Sequence, residues 1–307
     1  GLIFRSFMKP WRSWGEQLQL FKDRGLILSS GDDCLKFLKQ VGYYRFSGYC
    51  RYFQKSPEDG VNEFISGVTF DQIFEIYSLD QRLHQFLMGP ISQIEILLRN
   101  RYAYIVAEKG GAYGEYLCDS YFSGAESSES LLEACIRDIE RSKDRHILRY
   151  RDDSASEKYA KLPVWSAVEA FSFGTLSKCI ERGYHGQMSH LICEDIGLAK
   201  SGFPSRLRSI VYLRNRCAHY GRLWNHCVID AGAVPHNVRN KAKQRLAIGN
   251  FTPRSIMDVI VSLDDFLKKM NIRSDFLEQF EQLFMLDNDV FRRGMIDPRS
   301  TKDRYQH

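Results

Sequence analysis

The stretch YLRNRCAHYG, residues 212–221, puts two arginines, an asparagine and a histidine where the neighbouring residues build an apolar stripe. His219 exchanges a proton readily near neutral pH. Arg214 carries a permanent charge on a planar fork of donors suited to phosphate oxygens. Asn215 supplies both a donor and an acceptor. Together these groups are equipped for phosphodiester chemistry without a metal. The imidazole would take the proton of a ribose 2′-hydroxyl or give one to the leaving oxygen, while the guanidinium neutralises charge building on the phosphorane.

These residues must be positioned by a helix. Pro204 suits a helix start, and Leu207, Ile210, Val211, Cys217 and Ala218 share a face with Arg214 in the middle of it, so the guanidinium is expected to point inward. Arg214 and His219 are five apart, about 140° around a straight helix, and they converge only if the helix ends between or just after them. Gly221 offers such an end. Otherwise a second copy of the motif must complete the site, from elsewhere in the chain or from a partner subunit. LLRNRYAYIV, 97–106, is a near-repeat in which Arg99, Asn100 and Arg101 align with Arg214, Asn215 and Arg216, and Tyr104 stands where the other copy has histidine. This earlier copy reads as structural or as an RNA contact.

The charge is lopsided. The chain has 43 Lys and Arg against 38 Asp and Glu, yet Ile196–Met257 contains eleven bases and one acid, Asp230. Such clustering attracts polyanions and reads as a nucleic-acid footprint over its alternative, a solvated helix face. Arg216, Arg222, Arg239, Lys241, Lys243 and Arg245, with Arg99 and Arg101, are the candidate RNA contacts. RNKAKQR, 239–245, reads more plainly as a phosphate-binding run, with a mobile surface loop as its alternative. GYYRFSGYCRYF, 42–53, interleaves aromatics with Arg45 and Arg51 and divides between core packing and base stacking, core the larger share. His84 and His146 read as structural, Trp165 and Trp224 as packing residues.

Periodicity is helical nearly throughout. WGEQLQLFKDRG and DDCLKFLKQVG are short helices ended by Gly25 and Gly42. Thr69-x-x-Gln72 is a capping box opening a helix that stops at Gly89-Pro90, and a second helix to Gly110 would fold back as a hairpin. Residues 113–130 and 151–161 read as loops. A helix from Pro163 to Gly183 would kink at Gly174, and Thr252-Pro253 would cap the helix that follows. ISGVTF is a candidate for local strand pairing, and a final helix starts near Ser274 before a polar tail from Asp297. The fold class is all-α, in three regions: 1–68, an N-terminal helical region; 69–230, a helical core; 231–307, a C-terminal helical region.

Eight cysteines stand singly without Cys-x-x-Cys spacing, as expected of free thiols in a reducing compartment. Cys217, His219, His226 and Cys227 lack usual zinc-ligand spacing, so neither metal nor cofactor is expected. Apolar runs fall short of the roughly 20 residues of a membrane span, and GLIFRSFMKPW lacks the pattern of a secretion signal. A cytoplasmic protein without a membrane partner is expected.

Arg-Asn, three residues and His on a helix resembles the active-site motif of HEPN ribonucleases. KPW, VGYYRFSGYCRYF, TFDQIFEIYSLDQRL, IEILLRNRYAY, SFGTLSK and LRNRCAHYGRLWN together resemble the Abi-like family of abortive-infection proteins, of the AbiD/AbiF type, over residues 9–225. The resemblance implies a HEPN-like helical bundle with N- and C-terminal helical additions and a toxin role in bacterial phage defence. It implies metal-independent RNA cleavage leaving cyclic phosphate ends, with Arg214, Asn215 and His219 as catalytic residues. It also implies a homodimer that juxtaposes two motifs and, for AbiF-type members, association with a small noncoding RNA. Two other readings stay open: an RNA-binding scaffold without catalysis, and a structural role in which Arg214 and His219 pair with buried carboxylates such as Glu95.

Overall fold

A computed structural model of the chain describes residues 10–124, 130–228, 231–246 and 249–298. Lys9, Asp230 and the tail beyond Pro298 lie outside them. The described residues are all-α apart from one small hairpin. Three short helices open the chain: α1 (Trp14–Asp23), α2 (Gly31–Val41) and α3 (Tyr43–Cys50). Ser13 and Glu16 form a capping box on α1, and Ser30 caps α2. Gly42, at φ 87°, ends α2 and starts α3, a conformation that glycine adopts without a Cβ clash. Strands β1 (Gln54–Ser56) and β2 (Val61–Phe64) pair antiparallel through Gly60. The pairing falls just before ISGVTF, whose Thr69 makes only an isolated bridge to Ile27.

The spine is α4 (Phe70–Glu108), a single helix of 39 residues, about 58 Å long at 1.5 Å per residue. Its Thr69/Gln72 capping box forms as expected. The expected hairpin at Gly89-Pro90 does not form, because the apolar stripe passes the proline in register. Leu83, Leu87, Ile91, Ile94 and Leu98 are all fully buried, and Pro90 lies among them on the same face. A proline in mid-helix removes one backbone bond and crowds the preceding turn. Continuous burial on both sides outweighs that cost, since each large aliphatic side chain removed from water contributes about 1.5–3 kcal/mol.

Around α4 pack α5 (Leu131–Arg141), α6 (Arg145–Leu148), α7 (Val164–Ala170), α8 (Phe173–Arg182), α9 (Met188–Ile196) and α10 (Phe203–Ala218), several through one another. The break between α7 and α8 sits at Phe171-Ser172 and not at Gly174, because Ser172 turns extended and its hydroxyl caps Thr175. The C-terminal layer is α11 (His236–Leu246), α12 (Ile256–Lys269), α13 (Phe276–Phe284) and α14 (Asp289–Ile296). Ser255 caps α12 in place of Thr252, whose hydroxyl instead bonds Asp297. RNKAKQR is helical, within α11, and not a surface loop.

The arginine that points fully inward from α10 is Arg206, 1% exposed. Its Nε donates to the Ser262 hydroxyl at 2.8 Å, its Nη2 pairs with Asp265 at 2.7 Å, and the guanidinium lies over the Phe266 ring. Breaking such a pair strands a buried charge. Arg206→Ala is expected to lower the unfolding free energy by about 3–5 kcal/mol, and Arg206→Met by clearly less. Denaturant midpoints of the two variants check this; equal losses would show that side-chain volume alone matters there.

Candidate functional site

α10 ends at Ala218, one residue before His219. Gly221 N–H bonds the Arg216 carbonyl at 2.8 Å and Tyr220 N–H bonds the Cys217 carbonyl at 3.1 Å, the paired bonds of a Schellman stop. His219 is the C-cap, so its imidazole leaves the helical screw and stands exposed in solvent. The left-handed residue is Tyr220, at φ 52°, and not Gly221. A tyrosine pays a steric cost there of about 1–2 kcal/mol that glycine would avoid. The surroundings hold it in place. Arg45, from α3, donates to the Tyr220 carbonyl. A side chain at 221 would press on the Arg216 guanidinium at about 3.2 Å, which accounts for glycine there.

Two buried groups of α4 fix the chain that follows. Asp80 is fully buried and accepts three bonds: Tyr49 Oη at 2.5 Å, Trp224 N at 2.8 Å and Leu223 N at 3.2 Å. Burial pushes the Asp80 carboxyl up from the usual carboxylate range, and the neighbouring His84, the Tyr49 hydroxyl and the two backbone donors oppose it. His84, one turn on, places Nδ1 against the Asp80 carbonyl and Nε2 against the Gly221 carbonyl at 2.8 Å. Trp224 is fully buried and donates to the Phe291 carbonyl, anchoring the segment on α14. His84 and Trp224 therefore serve the structure, as expected of them, whereas Trp165 stands half-exposed beside Tyr113.

The two near-repeats meet at one carboxylate. Glu95 of α4 is nearly buried; Arg99 Nη2 reaches its Oε1 at 2.6 Å, and Arg214 Nε lies 3.6 Å from its Oε2. Two guanidinium groups against one carboxylate leave a net positive charge. Arg214 is 31% exposed, and its one hydrogen bond among the described residues runs to the Asn215 side chain. Asn215 is exposed. Arg214 is thus half-buried and not turned fully inward, and Ala218 on the same predicted face is exposed because the helix stops there.

The other candidates are mostly engaged. Arg101 pairs with Asp195 at 3.0 Å. Arg216 donates to the Arg222 carbonyl and the Tyr212 hydroxyl. Arg222 reaches the Gly48 carbonyl beneath the Tyr49 ring, and burial pulls its guanidinium below the usual arginine value. Arg239 pairs with Asp258 and lies on the Phe251 ring, Lys243 bonds Asn250 at 2.7 Å, and Arg245 pairs with Glu278 at 2.6 Å. Lys241 is exposed. No three His, Cys, Asp or Glu side chains cluster as a metal site among the described residues. None of the described helices is long and apolar enough to cross a membrane.

The sequence places Asp80 within the apolar stripe of α4 and assigns it no role, though an acid in such a stripe is a signal. Arg45 carried no such signal, since only the fold brings it to Tyr220.

Among known families, the one described as Abi-like protein matches residues 36–225, from the second half of α2 to just past Trp224. No curated protein and no solved structure matches.

Replacing Asp80 with alanine orphans two backbone donors and a tyrosine hydroxyl. Asp80→Ala is expected to lower the unfolding free energy by on the order of 3 kcal/mol or more, against about 1 kcal/mol for Tyr49→Phe. Urea unfolding of both variants checks it, and near-equal losses would contradict the role given to the backbone donors.

Proposed function

The chain belongs to the Abi-like protein family, which implies an abortive-infection role in defence against phage, and on that premise we propose that it is a metal-independent endoribonuclease of HEPN type. The observation that carries the reading is the end of α10, where a half-buried Arg214, Asn215 and a solvent-open His219 sit beside a two-arginine, one-carboxylate cluster.

In this reading the 2′-oxygen of a ribose attacks the adjacent phosphorus, the bond from phosphorus to the 5′-oxygen breaks, and a 2′,3′-cyclic phosphate is left. One imidazole takes the 2′-hydroxyl proton and another gives a proton to the departing 5′-oxygen. Arg214 faces the phosphorane, held in orientation by Glu95, and Asn215 bonds a non-bridging oxygen. Each chain offers one such histidine, because the earlier copy has Tyr104 in its place and already spends Arg99 on Glu95. A second imidazole comes from a second copy of the chain, and a homodimer with facing motifs completes the site.

The Arg214–Glu95 contact also favours a second reading, the structural one, in which Arg214 pairs with a nearly buried carboxylate and serves the fold; an RNA-binding scaffold without catalysis is the other alternative. His219→Ala is expected to slow cleavage of host or phage RNA about 10²–10⁴-fold and Arg214→Ala about 10²–10³-fold, with wild-type activity unaffected by EDTA. Equal cleavage by all three proteins would remove the assignment, and intact RNA retained by all three would favour the scaffold. Sedimentation is expected to show a dimer. A monomer with full activity would refute the shared site.

A further inference from the structure

Tyr220 carries a steric cost that packing does not offset. It follows His219 directly and holds the left-handed conformation, which glycine would take without a Cβ clash. The anchors that impose this conformation act on the backbone: Arg45 donates to the Tyr220 carbonyl, and His84 Nε2 lies against the Gly221 carbonyl. Neither needs a ring at position 220. The ring stands 55% exposed, with the His84 imidazole at 6.0 Å as its aromatic neighbour. Tyr184 shares the conformation, at φ 48°, but its half-buried ring packs on Tyr121 and so serves the fold. A strained residue whose side chain the fold leaves open marks a binding role.

The surroundings select the partner. Asn215, Ala218 and His219 are exposed on the end of α10, and Arg45 is exposed where it meets the Tyr220 carbonyl. Of these four only Ala218 is apolar, whereas the core of a protein–protein contact is depleted of charge. An open aromatic face with a guanidinium beside it suits an unpaired base and the phosphate attached to that base. A base inside a duplex is already stacked on both faces and is excluded. We propose that Tyr220 is the base-stacking residue of the site: an unpaired base beside the scissile phosphate lies on its ring, and Arg45 meets the neighbouring phosphate. Stacking there holds the nucleotide in register with His219. The inference rests on the cleavage reading and deepens it, since it makes the substrate single-stranded at the cut and adds two residues to Arg214, Asn215 and His219.

The test uses the full chain and a single-stranded RNA that carries 2-aminopurine and has every 2′-oxygen methylated, so that it binds without being cut. Fluorescence of 2-aminopurine falls when the base stacks. Wild type and Tyr220→Phe are expected to quench it alike, while Tyr220→Ala and Tyr220→Gly bind about tenfold more weakly and lose the quenching. On unmodified single-stranded RNA the same two variants are expected to raise KM about tenfold with kcat within about twofold of wild type. Tyr220→Gly is expected to melt at or above the wild-type temperature, because glycine relieves the left-handed strain. A lower melting temperature would make the ring a part of the fold and overturn the proposal. Quenching by wild type without cleavage of unmodified RNA would support the stacking and remove the cleavage reading. Affinity, quenching and KM unmoved in Tyr220→Ala, while His219→Ala loses cleavage, would overturn the proposal and leave the cleavage reading standing. Sedimentation of Tyr220→Ala as a monomer beside a wild-type dimer would assign the ring to a second copy of the chain and also overturn it.

Discussion

The carboxylate of Asp80 is the constraint from which the motif takes its shape. A carboxylate at zero exposure is costly to bury, and three donors aimed at its two oxygens meet that cost. Two of the donors are the backbone N–H groups of Leu223 and Trp224, so the acid does for a loop what a side-chain cap does for a helix. The chain leaving α10 is thereby pinned to the middle of α4. His84, on the same helix one turn later, pins Gly221 as well. With both ends fixed, the chain must reverse across Tyr220, and its left-handed conformation follows from the anchoring. His219 is solvent-open because the helix was stopped there.

A single unbroken α4 explains why this works. Asp80 and His84 lie before Pro90, while Glu95 and Arg99 lie after it. Were the chain to reverse at Gly89-Pro90, the groups that hold the loop and the group that orients Arg214 would sit on two separate helices. Their spacing along one rod of known rise instead sets the distance between the loop anchors and the Glu95 cluster. The near-repeat acquires a physical meaning here: its two leading arginines, 115 residues apart, share one carboxylate across the α4–α10 interface.

Much of this was legible in the residues. Helix class, most boundaries, the capping boxes at Thr69 and the stop after Ala218 follow from local chemistry that the sequence displays directly. The division of the 42–53 aromatics was also readable: Phe46, Tyr49 and Phe53 are core, and Tyr44 is not. What escaped has a common cause. Pro90 is a local breaker, and burial on both sides of it overrides local preference. Ser172 and Ser255 beat Gly174 and Thr252 because capping depends on backbone direction, which the packing of α7 and α12 decides. Arg206 hid for a similar reason: its partner Asp265 lies on a different helix.

The same blindness to cross-helix partners bears on the charge. The run Ile196–Met257 is nearly free of acids along the chain, but it is not so in space. Lys200, Arg206, Arg208, Arg214, Arg239 and Arg245 each meet a carboxylate, and only that of Lys200 comes from the helix immediately before. A linear count of charge therefore overstates the field of this segment, because Coulomb attraction is set by separation in space. Positive charge in excess of acid persists instead near the motif, where the Arg99–Arg214 pair exceeds its single carboxylate. A polyanion approaching the end of α10 meets that excess. Its path is set by where the carboxylates are missing, and that arrangement is a property of the fold.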